Sequence, residues 1–359
     1  MLSAASLTFL TTLLDAPGPS GFESAPARRW RAEAEGFADD VRADVNGNSF
    51  ARLHQGTPPE AAPLMLAGHI DEIGLMVLHI DEQGYLWFEA IGGWDHQVFV
   101  GQRVTLLGRD GPVPGVIGKP AIHLLDREAR DKVSKVSELW IDIGAGSRAE
   151  AAARVRVGDA GVLGGALQRL PNDRLVSRSL DNRIGAFVVL EALRQLAVDR
   201  PAVPVTAVAT AQEEICQSGG GARSSATALA PLAAIVVDVT HATDTPGIEK
   251  KQHGDITLGG GPVLSRGSVV NPRVFELLLE TAEQEGIPCG VQAAARDTGT
   301  DADAIFSAHR GVATGLISVP LRYMHTPNEL IALADVERAA RLLAAFARRL
   351  TATSDFIAR

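Results

Sequence analysis

Ala207-Val-Ala-Thr-Ala-Gln-Glu-Glu-Ile-Cys216 is the stretch from which the fold can be read. An apolar run over 203–209 feeds into two adjacent carboxylates, Glu213 and Glu214. Open α/β sheets place their chemistry where strands of this kind end, at the carboxyl edge. On a regular strand the two glutamates would point to opposite faces. A division of labour between them, one holding a metal and the other moving protons, therefore requires the backbone to turn here. An isolated Glu-Glu pair is more often a solvated acidic loop, so the chemistry has to be sought in the rest of the chain.

The chain has 359 residues, 46% hydrophobic and 21% charged, which suits one large globular domain or a domain carrying an insertion. A net charge of -9 with no basic run argues against a nucleic-acid-binding face. Cys216 and Cys289 form neither a disulfide framework nor a CxxC metal pattern, as expected of a cytoplasmic protein with reduced thiols. Residues 1–14 are apolar but lack a basic leader, and Asp15 and Pro17 cut them short. They read as an amphipathic first helix rather than a signal peptide. No apolar run is long enough to span a bilayer, so no membrane association is expected.

Outward from the glutamates, the chain alternates helices and strands. A helix is expected over 23–34, a hairpin over 41–54 around Asn46-Gly47-Asn48, and a buried strand over 63–69. Beyond 165 the spacing gives a helix over 184–196 and strands over 203–209, 233–238 and 312–319. A helix over 271–286 has Asn271 as cap, Pro272 at its first position and Gly286 as terminator. The last helix, 335–350, carries arginines in its final turns, which suits the dipole. Between 74 and 165 the texture changes to short β-like runs at 75–80, 85–90, 103–107, 115–118, 139–143 and 161–163, punctuated by Gly, Pro and Asp. This is the pattern of a small β-barrel or β-sandwich. The expected fold class is α/β: a mixed-sheet α/β/α catalytic domain from 1–73 and 166–359, with a β-barrel-like domain inserted at 74–165. The alternative is that 74–165 is the front half of one larger mixed sheet.

Several of these elements begin or end in a potential metal ligand. His69 and Asp71 follow the 63–69 strand, Asp181 precedes the 184–196 helix, and Asp238 ends the 233–238 strand. His325 follows the 312–319 strand. Singly, a strand-end His is more often a hydrogen-bonded structural residue, and an Asp before a helix is more often its N-cap. Together with Glu213 and Glu214 they put two imidazoles and several carboxylates at one sheet edge. Zinc and cobalt take such mixed ligands. The His-x-Asp spacing of His69 and Asp71 lets a carboxylate support the imidazole's other nitrogen.

The segments Gly68-His-Ile-Asp-Glu-Ile-Gly74, Ser179-Leu-Asp-Asn-Arg183, Gln212-Glu-Glu214, Val237-Asp-Val-Thr-His-Ala242, Gly299-Thr-Asp-Ala302 and Arg322-Tyr-Met-His-Thr-Pro327 resemble those of the TET-type dinuclear metalloaminopeptidases. That group also carries the names glutamyl aminopeptidase and endoglucanase. The resemblance spans nearly the whole chain, in the family's order, and implies the zinc-aminopeptidase fold. It implies two divalent metal ions, zinc or cobalt: one held by His69, Asp181 and Asp238, the other by Asp181, Glu214 and His325, with Asp181 bridging. Glu213 would be the general base and Asp71 would orient His69. Substrates would be short peptides with a free N-terminus. The 74–165 insertion would be a dimerisation domain in a large homo-oligomer, often a dodecamer built from dimers.

The sequence departs from the family at Ile215-Cys-Gln-Ser-Gly219, at Asn182 where a second Asp is frequent, and at Lys119-Pro-Ala-Ile-His123, which is one residue longer than usual. His123, His241 and Asp244 stay open as contributors. His54, His79, His96, His253 and His309 lack a partner pattern and read as surface or structural; Gly259-Gly-Gly261 reads as a tight turn. Three other functions compete. A dinuclear carboxypeptidase or deacylase would prefer substrates with a free carboxylate. A glycosidase needs two carboxyls about 5 Å or more apart and leaves the imidazoles without work. A non-catalytic scaffold would be expected to have lost some of these residues.

Overall fold

The computed structural model describes residues 2–58, 61–216 and 219–357. An 11-stranded sheet carries most of the chain. Its centre is parallel, in the order Val205–Thr210, Leu64–His69, Ala233–His241 and Thr314–Arg322. Every residue of the first two strands is buried. Covered on both faces, such strands read as unbroken apolar runs. The hairpin Asp40–Ala43 and Ser49–Leu53 extends the sheet antiparallel on one side. Glu329–Ala332, Arg174–Ser177 and Gln168–Leu170 extend it antiparallel on the other. Helices Leu180–Val198 and Leu333–Arg349 pack together against one face of the sheet, while Gly220–Leu229 and Asp301–Phe306 pack together against the other, giving α/β/α layers.

Two glycines set how closely the Leu180–Val198 helix lies on the sheet. A Cβ on Gly68 would stand 2.4 Å from the Gly185 carbonyl carbon, and one on Gly185 would stand 2.4 Å from the Val237 oxygen. Only hydrogen fits at both positions. The helix start is thereby held against the carboxyl ends of two central strands, within reach of their terminal side chains.

The second unit is a closed barrel with strands ordered Gly74–Ile80, Leu86–Ile91, Trp140–Asp142, Gly111–Gly118, Arg103–Gly108 and Ala160–Leu163. It has its own core, including Leu75, Val77, Phe88, Leu106, Ile117 and Ile141. Closure excludes both the sandwich and the larger-sheet alternative, since the barrel strands pair among themselves. Gly111–Gly118 is longer than the expected 115–118 because Pro112 and Pro114 sit where it pairs on one side only, so no ladder donor is missed.

Asp181 precedes the regular part of its helix, as expected: Asp181 (φ -82, ψ 106) and Asn182 are both non-helical and form a kink within Leu180–Val198. Other elements correct the sequence-based expectation. Asp238 does not end its strand, which runs on to His241. The parallel pair Val263–Gly267 and Gly290–Ala294, the strand Glu329–Ala332 and the helices Gly220–Leu229 and Asp301–Phe306 add to the expected elements. No helix among the described residues is long and apolar enough to cross a membrane.

Candidate active site

His69 is the last residue of its strand and pairs in register with Thr210 of the neighbouring strand. The turn leaving Thr210 therefore rises beside the imidazole. Gln212 adopts φ +62 there, the backbone reversal that lets two successive glutamates share one site. Its N–H is held by Glu23 at 3.2 Å. Asp71, fully buried, accepts the Glu213 N–H at 3.2 Å on one oxygen and the Glu214 N–H at 3.1 Å on the other. The first of these oxygens also lies 3.3 Å from His69 Nδ1. One carboxylate thus fixes an imidazole and the glutamate turn together.

Asp181 presents one oxygen 3.3 Å from His69 Nε2 and the other 3.4 Å from His325 Nε2. Glu214 lies 3.4 Å from His325 Nε2, and Glu213 and Asp238 lie 3.8 and 4.0 Å from His69 Nε2. All seven residues singled out in the sequence therefore meet in one cluster. Among the described residues, His69, Glu213 and Asp238 offer ligand atoms within 4.8 Å of one another, and so do His69, Asp181 and Glu214. The first of these sets contains Glu213 where the family resemblance would have Asp181. Asn182 donates its amide to the Val237 carbonyl at 2.8 Å and accepts from Gly185, tying the helix start to the central strand. An Asp at 182 would have no N–H to give Val237.

His325 comes from the segment after Thr314–Arg322, with φ +59, and its Nδ1 faces Gly93, in the loop that follows the barrel strand Leu86–Ile91. Ser179, Gln212, Tyr323 and His325 are all non-glycine residues at positive φ, a conformation costing of order 1 kcal/mol each. Their concentration around the cluster marks backbone shaped for the site.

The electrostatics are dominated by buried acid. Burial, with the charges of Asp238 and Asp301, pushes Glu213 up to about 9. Burial and Asp181 raise Glu214 well above the carboxylate range, and the same pair raises Asp238 to about 8. Asp181 goes the other way: burial opposes ionisation, but His325 and His69 overcome it and hold the carboxyl low. Burial would likewise neutralise His69, yet Asp71 and Asp181 raise it well above its usual value. The arginines nearby do not relieve this excess, because Arg178 and Arg183 are both paired with Glu72.

Two residues of the cluster escaped the sequence reading of roles. Asp301 is buried, accepts from the Thr210 hydroxyl, and is pushed by burial to about 6. Glu329 is buried behind Asp181 and His325 and accepts a backbone N–H from each. In sequence Asp301 follows a capping Thr300 and looks like a first-turn acid, while Glu329 merely precedes an apolar run. Asp244 pairs with Arg322 at 2.8 Å. His241 and His253 line the cavity at the cluster, whereas His123 is exposed in a short helical turn between barrel strands. The turn at 259–261 is held by Asp335, which accepts from Gly259 and Gly261. Gln217 and Ser218, part of the departure at 215–219, lie outside the described residues.

The cluster opens into a cavity of about 1000 Å³ whose walls include Val239, Gln292, Arg296, Leu316 and Met324. A second cavity, of about 690 Å³, lies across Glu213 and Glu214 and is bounded by Cys216, Arg223, Asp297 and Ser307.

The profile of the M42 glutamyl aminopeptidase family matches residues 47–342. A lysyl aminopeptidase of Pyrococcus furiosus is 35% identical over 344 residues, covering 94% of this chain and 95% of that protein. The structure of a TET aminopeptidase from a marine-sediment Thaumarchaeota archaeon superposes with a TM-score of 0.90 at 34% identity, covering 97% of each chain. The TET1 peptidase of Pyrococcus horikoshii, which can assemble into a tetrahedron or a large octahedral shell, has a TM-score of 0.85 at 29% identity, covering 96% of this chain and 100% of that one.

Proposed function

The chain belongs to the M42 glutamyl aminopeptidase family, and from that premise we propose that it is a dinuclear metal-dependent aminopeptidase removing N-terminal residues from short peptides. The observation that carries this reading is the excess of buried carboxylate around two imidazoles. Desolvating each uncompensated ion costs several kcal/mol. Asp238, pushed up to about 8, and Glu214, raised well above the carboxylate range, are acids waiting for cations. The donor set suits zinc or cobalt. Glu214 Oε1, buried and without a hydrogen-bond partner among the described residues, is the kind of atom a cation would satisfy.

His69, Asp181 and Asp238 would hold one ion, and Asp181, Glu214 and His325 the other, since Asp181 already turns one oxygen toward each imidazole. Bound there, the cations would lower the pKa of a water and supply positive charge for a developing oxyanion. Glu213, partly open to the cavity, would accept a proton as general base and pass it to the departing amine. Asp71 holds both His69 and the backbone of Glu213 in place for this.

The tetrahedral and octahedral forms of the Pyrococcus horikoshii relative support a large homo-oligomer, for which we propose a dodecamer built from dimers. The barrel, with Ile122, Leu124 and Val133 exposed, is the proposed dimerisation domain. The acidic charge and two thiols suit a cytoplasmic enzyme.

Hydrolysis of a panel of short peptides, free and amino-blocked, before and after chelation and with zinc or cobalt restored, tests the reading. Free-amine peptides should shorten one residue at a time, blocked ones should persist, and activity should follow the metal. Cleavage that survives chelation, or that requires a free carboxylate instead of a free amine, would overturn it.

A further inference from the structure

Asp181 and His325 stand on backbone that no regular ladder supports. Asp181 is non-helical inside the first turn of its helix, and His325 is left-handed. Their N–H groups still need acceptors, because an unpaired buried donor costs about 1–3 kcal/mol. Both find the same one. Glu329, 2% exposed, accepts the Asp181 N–H at 3.0 Å on one oxygen and the His325 N–H at 3.0 Å on the other. Glu329 is itself anchored: it opens the strand Glu329–Ala332 and pairs in register with Ser177, close to where the chain turns toward Asp181. A single rigid carboxylate therefore spans the two residues whose side chains approach to 3.4 Å.

We infer that Glu329 is a positioning residue that sets the spacing of Asp181 and His325, and through it the geometry of the cation site those two share. The inference rests on the proposed function. A glutamine offers one acceptor oxygen and turns an amide donor toward the second N–H, so it can hold one backbone but not both. An aspartate keeps both oxygens but sets them back by one methylene.

The test is a cobalt titration of the metal-stripped full chain, followed by the visible ligand-field bands, on wild type, E329Q and E329D. It is run beside kcat and KM for an N-terminal residue linked to a chromogenic amide. Outer-shell partners of metal ligands are worth about 10–100-fold in metal affinity. E329Q should weaken one of two cobalt sites by that factor, alter the bands and lower kcat, with KM nearly unchanged; E329D should do the same more mildly. Wild-type bands, affinity and kcat in E329Q would overturn the inference while leaving the aminopeptidase reading intact. A lowered melting temperature with wild-type cobalt behaviour would also overturn it, as mere structural support. Should E329Q not fold, E329D decides on the same criteria. A wild type that takes up no cobalt sinks the proposed function, and this inference with it.

Discussion

Replacing Asp71 with asparagine, which has the same shape, isolates the charge that fixes the glutamate turn. Asp71 accepts two backbone N–H groups, at 3.2 and 3.1 Å, and lies 3.3 Å from His69 Nδ1. Burial alone would raise its pKa, but His69 and these donors keep the carboxyl ionised. The asparagine side chain retains one acceptor oxygen, so Asp71→Asn removes one charge-assisted bond, about 1.5–3 kcal/mol, and faces a buried N–H with an amide donor. His69 simultaneously loses its carboxylate partner, a loss of about 10–100-fold in metal affinity. That factor corresponds to roughly 1.4–2.7 kcal/mol at the site. The assay is a metal-competition titration beside kcat/KM across metal concentrations. Activity of D71N should be low at limiting metal and should partly recover as metal is raised, because the ligands themselves remain. A variant with wild-type affinity and wild-type rate at limiting metal would refute the assignment of Asp71 to both tasks.

Three further outcomes are expected. Asp238, pushed up to about 8 by burial and Asp181, keeps its proton at pH 7 until a cation displaces it, so metal uptake should release protons and affinity should climb as pH rises from 6 toward 8; pH-independent affinity by calorimetry in buffers of different ionisation enthalpy would contradict this. A side chain at Gly93 would begin 3.3 Å from His325 Nδ1, so Gly93→Val should displace the ring and lower kcat in a protein whose circular dichroism is unchanged. Asp39 accepts from both Arg200 guanidinium nitrogens and from the His54 and Gln55 N–H groups, which hold its pKa below the usual value of about 3.9. Its stabilisation, about 0.2–1 kcal/mol for a pair with so exposed an arginine, is present above that pH and is lost as the pH falls from there toward the lowered folded value. The melting-temperature gap between wild type and Asp39→Asn should therefore close on acidification below about pH 4.

The architecture was legible where burial leaves a strong periodic trace. The central strands, buried on both faces, are apolar throughout, and the barrel strands are short runs cut by Gly, Pro and Asp. Helix Pro272–Gln284 announced itself through Asn271, whose side chain accepts from Arg273 and Val274. What stayed hidden depends on distant partners. Gly290–Ala294 alternates exposed and half-buried positions and takes its shape from the neighbouring Val263–Gly267. The kinked helix start at Asp181 cannot be inferred from helical spacing, because contacts to Glu329 and Val237 impose it. For the site, residues that offer a side chain at a strand end were visible as candidates. Glu329 was not, since its partners are backbone atoms remote in sequence, and only the folded chain brings them to its two oxygens.

The order of the sheet also bears on how the chain becomes competent during synthesis. His69 emerges early, but the strand that leads to His325 occupies a central place between Ala233–His241 and Glu329–Ala332 and is made late. A nascent polypeptide that stops short of Thr314 lacks both the second imidazole and the carboxylate that braces it. On the proposed function, a chain without that last central strand would therefore lack the complete cluster and be unable to hydrolyse peptides.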